Sequence, residues 1–440
     1  MNILLKAAKI INASNKSLHL KKRDILIKNG VIEAIAVKIE AEKQTKVIQL
    51  ENLHVSIGWF DSSVGFGEPG HEERETIENG LLTAAKSGFT DIILNPNTNP
   101  LPDSSSDIVF LKNASKNEVT RLYPLGALTV KSEGEALAEL FDMKNSGAVG
   151  FNDYKKPIKN SNLLKIALQY AQGFEGLVYS FPMDVQIAGK GVVNEEKTST
   201  KLGLKGIPSL AEDLQIARDL FILEYTGGKL HIPTISTATG VKLIAAAKKK
   251  GLDVSCSVAI HNLYLTDESL EEFDTNFKVM PPLRTKSDVK ALVKGILEGV
   301  IDFVTTDHTP LDVEEKSIEF DNAAYGTIGL ESAFGILIMS IIKWFVEKFS
   351  CKSSCRFNIE NQLFDLETSI SLLTKGRERY GLETPKLVEG EKACLTLFNP
   401  EGNYIFRKEN SISTSKNSAF LGQEHIGRVY GIISNNRIIE

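Results

Sequence analysis

The chain has 440 residues, 42% hydrophobic and 24% charged, with a formal net charge of -5, the balance of a globular protein with one large core and a smaller appended domain. Its lysines and arginines are scattered, which excludes a basic stripe for nucleic acid and a polybasic membrane anchor. The start, MNILLKAAKIINASNKSLHLKK, lacks the apolar run of a signal peptide and no later stretch reaches the roughly 18 uncharged apolar residues of a membrane span, so a cytoplasmic protein is expected.

From the N-terminus, residues 3 to 50 alternate apolar and polar side chains in short runs broken by Asn29-Gly30, a hairpin signature. Similar runs return at the other end in ACLTLFNP, GNYIFR and VYGIISNNRIIE. The two β-rich ends are expected to fold together, as a composite β-sandwich over 1–53 and 386–440 beside a central domain over 54–385.

Within the central domain, β-branched runs are predicted as strands at His54 to Asp61, Thr90 to Asn95, Leu122 to Leu128, Ala148 to Asn152, Gly176 to Ser180, Lys229 to Ile235, Asp253 to Val258 and Ile301 to Asp307. Helical periodicity follows most of them, as at Glu73 to Ser87, Ala211 to Thr226, Thr239 to Lys250 and Lys286 to Glu298. Strand-then-helix units in this number predict an α/β fold, a (β/α)8 TIM barrel, whose chemistry belongs at the C-terminal ends of its strands. Residues 328 to 346 form the longest apolar stretch, but Glu331, Ser332 and Lys343 suit a buried helix. Cys256, Cys351, Cys355 and Cys394 are expected to be free thiols, because one CxxxC without a second pair is a weak metal signal.

Several motifs fall at those strand ends. They are Gly58-Trp-Phe-Asp61-Ser-Ser-Val-Gly-Phe-Gly-Glu68-Pro-Gly70, Asn95-Pro-Asn-Thr-Asn-Pro100, Gly147-Ala-Val-Gly-Phe-Asn-Asp153, Leu230-His-Ile-Pro-Thr-Ile-Ser-Thr237, Asn276-Phe-Lys-Val-Met-Pro-Pro-Leu-Arg284 and Thr306-Asp-His-Thr-Pro310. In this collinear order the chain resembles bacterial-type dihydroorotases of the cyclic amidohydrolase superfamily, over about residues 50 to 440.

The resemblance implies a metal-dependent amidohydrolase barrel, and it exposes what is missing. The family carries Asp-x-His-x-His-x-Arg after strand one, with two metal-binding histidines and a substrate-binding arginine; here the register reads Asp61, Ser63, Gly65 and Gly67. Histidines expected at the ends of strands five and six fall on Ser180 and Thr234. By the same resemblance Asp307 is the metal ligand and proton shuttle and Asp153 a carboxylate ligand, while Asn97 and His308 match substrate contacts. Met280 and Leu311 replace a family Asn and a second His. From the residues alone, Asp61, Asp153, His231 and His261 are expected to be structural, His71 a loop residue, and Lys155 and Lys156 solvated loop lysines.

Magnitudes decide the expected function. A bound metal lowers the pKa of water from 15.7 to about 7, on the order of 12 kcal/mol of nucleophile activation. A lone general base recovers roughly 3 to 5 kcal/mol. The expectation is therefore a catalytically inactive dihydroorotase homologue of pyrimidine biosynthesis, without a cofactor and, as the resemblance implies, homo-oligomeric, that partners aspartate transcarbamoylase. Two alternatives stand beside it: an active cyclic-amide hydrolase with zinc in a reduced site, and a ligand-binding sensor.

Overall fold

The computed structural model describes residues 2–349 and 366–440; Cys351, Cys355 and the Ser350 to Ser354 tract lie outside the described residues. Cys256 and Cys394 are buried free thiols. No helix of the described residues is long and apolar enough to cross a membrane.

Both ends of the chain build one eight-stranded sheet. Its hydrogen-bonded order is Arg437–Ile439, Glu424–Ser434, Leu395–Ile405, His54–Ile57, Asn2–Ile10, Lys22–Lys28 and Val31–Ala36, with Lys46–Ile48 also alongside Asn2–Ile10. Asn29 and Gly30 both have positive φ, the geometry of a two-residue hairpin turn, and Asn435 and Asn436 repeat it before the last strand. Ile3, Leu5, Ile25, Ile27, Leu395 and Leu397 give this sheet a core of its own.

The run predicted as one strand from His54 to Asp61 is two. His54–Ile57 pairs with Asn2–Ile10 and Leu395–Ile405 in the terminal sheet, and Trp59–Val64 opens the barrel. Gly58 makes the break: a Cβ there would sit 2.1 Å from Thr90 Oγ1. Arg377, fully buried, seals the junction by donating to Gly58 O, Trp59 O and Thr90 Oγ1 and by pairing with Asp91 at 2.6 Å.

The central strands close into a barrel. Trp59–Val64, Phe89–Leu94 and Arg121–Pro124 form one parallel ladder, and Leu177–Tyr179, Lys229–Ile232, Val254–Ala259 and Phe303–Thr305 form another. Bridges from Gly126 to Phe151, Phe151 to Val178 and Val64 to His308 join them, so the fourth strand is reduced to the one bridging position Phe151. Phe60, Ile93, Leu125, Leu177, Phe303 and Tyr380 fill the interior. Outer helices include Ile77–Lys86, Ser209–Thr226, Ala238–Lys249, Lys286–Leu297 and Ala333–Phe349. Thr76, Thr237 and Thr285 start three of them by accepting backbone N–H bonds. The apolar stretch at 328 to 346 lies largely in the last of these helices, with Ile336, Leu337, Ile338 and Ile341 fully buried.

Candidate functional site

The strand ends at the barrel mouth enclose a cavity of about 10 Å³, lined among others by Ser63, Asn95, Tyr154, Lys155, Thr234 and Asp307. That is about the space one water molecule requires, and far below the roughly 300 to 1,000 Å³ of a small-molecule pocket. Phe181 and Met280 pack with Ile207 and Ala211 in an apolar cluster, and Phe181 reaches the cavity wall. Phe66 takes no part in this; it belongs to the main core, with its ring against Gly80 and edge-on to His308.

Asp307, 2% exposed, is the one carboxylate among the lining residues. It does not stand free. Lys155 Nζ lies 3.0 Å from its Oδ2, and Ser63 Oγ and Tyr154 OH donate to its Oδ1 at 3.2 and 3.3 Å. Asn95 Nδ2 in turn donates to Ser63 Oγ at 2.9 Å. Burial works against a charged Lys155, but the Asp307 carboxylate outweighs it and raises the ammonium pKa above its ordinary value. Lys155 is thus not the solvated loop lysine the sequence suggested: its side chain is 15% exposed and aimed into the barrel. Lys156 shows no such involvement in the cavity lining.

The other expected site residues divide. Thr234 lines the cavity, with φ +48°. Ser180 does not, because its Oγ donates outward to Asp219 at 2.6 Å on the helix Ser209–Thr226; its neighbours Tyr179 and Phe181 face inward. Asp153 also turns away, accepting from Leu128 N and Thr129 N at 3.0 Å and from Thr129 Oγ1 at 2.5 Å as a loop cap. Burial raises its pKa, and the Thr129 bonds oppose that.

Asn97 donates to Phe66 O at 3.0 Å and covers Gly65, outside the cavity lining. His308 is fully buried, and its Nδ1 accepts from Gly329 N at 3.2 Å, which assigns the proton to Nε2, 3.9 Å from Glu75. Burial would raise the Glu75 pKa, but His308, Ser413 and Asn79 hold it below the ordinary value. Neither Asn97 nor His308 is in position to contact a substrate at this cavity.

The residues read as structural behave so. Asp61 accepts from Thr305 and Thr306 and thereby clasps strand one to strand eight; burial pushes its pKa up to about 6 against those bonds. His231 bonds Ser255 at 2.8 Å, stacks on Phe303 and is kept neutral by burial. His261 is fully buried, and burial lowers its pKa to about 4.

A zinc ion of the family type does not fit these residues. Such a site needs three or four imidazole, carboxylate or thiolate ligands in tetrahedral array. Ser63, Gly65 and Thr234 offer none, Ser180 faces away, and no three His, Cys, Asp or Glu side chains come together among the described residues. The remaining carboxylate, Asp307, already faces an ammonium. The replaced positions are also filled: a Cβ on Gly65 would lie 2.9 Å from Asn97 Nδ2, and one on Gly67 would lie 1.7 Å from the His71 carbonyl oxygen.

Sequence reasoning missed Tyr154 and took Lys155 for a solvated loop lysine. One signal for Lys155 was present. A carboxylate in a dry strand end requires a cation, and with the metal ligands gone the basic residues after strand four were candidates.

Comparison with known proteins agrees with this architecture. Residues 54–239 match the family model described as dihydro-orotase-like. A dihydroorotase of Carboxydothermus hydrogenoformans is 36% identical over 100% of this chain and 99% of its own length, and one of Geotalea daltonii 33% over the same shares. Among solved structures, the L-hydantoinase of Arthrobacter aurescens superposes with a TM-score of 0.83 at 21% identity, covering 100% of this chain and 96% of that one. The dihydropyrimidinase of Brevibacillus agri gives 0.80 at 18%, covering 100% and 95%. Their fold is the amidohydrolase TIM barrel, and full-length identity above 30% carries the assignment further: the chain belongs to the dihydroorotase family.

Proposed function

We propose that this chain is a catalytically silent member of the dihydroorotase family, serving pyrimidine biosynthesis as a structural or regulatory partner of aspartate transcarbamoylase. One observation carries the silence: the Lys155 ammonium stands 3.0 Å from Asp307, the residue that would hold metal and shuttle protons. An ammonium and two hydroxyls already occupy the oxygens of that carboxylate, and the cavity around it has no room for a six-membered ring. The same small cavity weighs against a ligand sensor.

Two features support a role through assembly. The barrel frame is coherent while the replacements fall on chemistry, which is the pattern of a fold kept for its surface. The helix Ser209–Thr226 also presents Leu210, Leu214, Phe221 and Tyr225 along one face, with Phe221 71% and Tyr225 78% exposed. Large apolar side chains in a row on the surface are stabilised by association.

The chain purified from its native cells is expected to contain no stoichiometric zinc by elemental analysis and to show no dihydroorotate turnover. Stoichiometric zinc, with turnover abolished by Asp307→Ala, would refute silence. For the partnership, tagged chain is expected to retain aspartate transcarbamoylase from the same cells, and Phe221→Glu with Tyr225→Glu to release it at unchanged thermal stability. A wild-type chain that elutes alone, with transcarbamoylase assembly unaffected by its deletion, sinks the partnership.

A further inference from the structure

Three strand ends meet at Asp307. Ser63 reaches it from strand one, and Tyr154 and Lys155 from the segment after strand four. Thr309, two residues beyond Asp307, adds a second attachment: Lys155 Nζ donates to its Oγ1 at 3.3 Å, and Tyr154 OH lies 3.1 Å from the same oxygen. Among the described residues lining the cavity, Lys155 is the one lysine or arginine and Asp307 the one aspartate or glutamate.

The backbone around this pair is held in an uncommon state. Lys155 has φ +54°, Asp307 +47° and Thr234 +48°, in the left-handed region that L side chains adopt at a cost unless their surroundings hold them there. All three line the one small cavity. A metal ion in a barrel of this kind joins ligands from separate strands. Without ligands for it, some other charge has to hold the same strand ends against their strain and offset the desolvation of a buried anion.

We propose that Lys155 is a tethered cation that has taken over the structural part of the metal's role, tying the ends of barrel strands one, four and eight together through Asp307. An ammonium suits this place: it supplies full positive charge and three N–H donors on a flexible arm, and it needs no imidazole ligands. The inference rests on the reading that the site holds no metal, because an ammonium and a metal ion compete for the same carboxylate.

The test uses the full chain with Lys155→Ala, which deletes the atoms from Cγ to Nζ that n-propylammonium reproduces. The thermal midpoint is expected to fall by roughly 5 °C. Millimolar n-propylammonium should recover about half of that loss in the variant, by mass action on the vacated site, without moving the wild type. Propanol, equal in size and uncharged, should recover none. Lys155→Ala with Asp307→Asn, lacking both charges, is expected to melt closer to wild type than Lys155→Ala alone. Should Lys155→Ala fail to fold, the double variant decides: a folded double variant supports the tie, and an unfolded one overturns it. A Lys155→Ala chain that melts with wild type, or is rescued equally by propanol, also overturns it. Zinc analysis of the wild type separates the two readings. Stoichiometric zinc removes the metal-free premise, whereas a stable, metal-free Lys155→Ala chain removes only the tie.

Discussion

Arg377→Met is expected to lower the unfolding free energy by about 3 to 5 kcal/mol, the range for stripping one partner from a buried ion pair. Arg377 is 0% exposed and Asp91 1%, and their contact is 2.6 Å, so methionine leaves a carboxylate in the interior with one cation fewer. Arg121, 37% exposed, still reaches Asp91 at 2.7 Å, but from the solvent side. The guanidinium also satisfies Gly58 O, Trp59 O and Thr90 Oγ1 at the crossing from terminal sheet to barrel. Its loss therefore loosens the joint between the two units. Lysine is a poor substitute, because one ammonium cannot reproduce the planar fork. Denaturant unfolding provides the measurement; a loss below about 1 kcal/mol would mean that the pair merely offsets its own desolvation.

The same pair sets a pH signature. Burial alone would raise the Asp91 pKa, but Arg377 and Arg121 pull it below the ordinary value of 3.8. A carboxylate whose folded pKa is depressed stabilises the fold fully above its unfolded pKa, and the contribution disappears as pH falls through the folded value. Wild type should hold this contribution down to about pH 4, while Arg377→Met, with less depression, should lose less between pH 4 and pH 2. Parallel acid titrations of unfolding free energy would show the two curves converging at low pH.

Much of the barrel was legible because its evidence is local. β-Branched runs alternate with helical periodicity, and threonines cap helices where the apolar period begins. The break at Gly58 was not legible, since apolar residues run straight across it and only the approach of Thr90 requires a glycine. That Ser63, Gly65 and Thr234 carry no imidazole, carboxylate or thiolate was legible from the residues themselves. Side-chain direction was not: a one-residue difference on a strand exchanges inside for outside, so Ser180 reaches Asp219 while Phe181 reaches the cavity. Lys155 was misread for a related reason. A loop lysine is ordinarily solvated, and what turns this one inward is a left-handed backbone residue and a buried carboxylate distant in sequence. His308 and Asn97 carried the family's pattern, but Gly329 and Phe66, which hold them away from the cavity, meet them only in the folded chain.

Gly67→Ala is expected to cost about 3 kcal/mol or more, the upper range for overpacking, whereas Gly65→Ala should cost about 1 kcal/mol. The difference lies in what each new Cβ meets. At Gly65 it is Asn97 Nδ2 at 2.9 Å, the end of a side chain, with the nearest backbone atom, His308 O, at an easier 3.3 Å. At Gly67 it is the carbonyl oxygen of His71 at 1.7 Å, which is backbone. Relief there requires moving a loop held by Gly67 N to Glu75 O and by His71 N to Gly67 O, both at 2.9 Å. Moving Glu75 would also disturb the buried carboxylate facing His308. Gly67→Arg, which would reinstate the family's substrate-binding arginine, inherits this Cβ clash and should fail to fold or melt far below wild type. Urea midpoints of the two alanine variants decide the matter, and equal losses would show the 67 to 75 loop to be adaptable. With the expected ranking, the arginine cannot return by a single substitution, because the chain has closed its own backbone over the space that side chain would need.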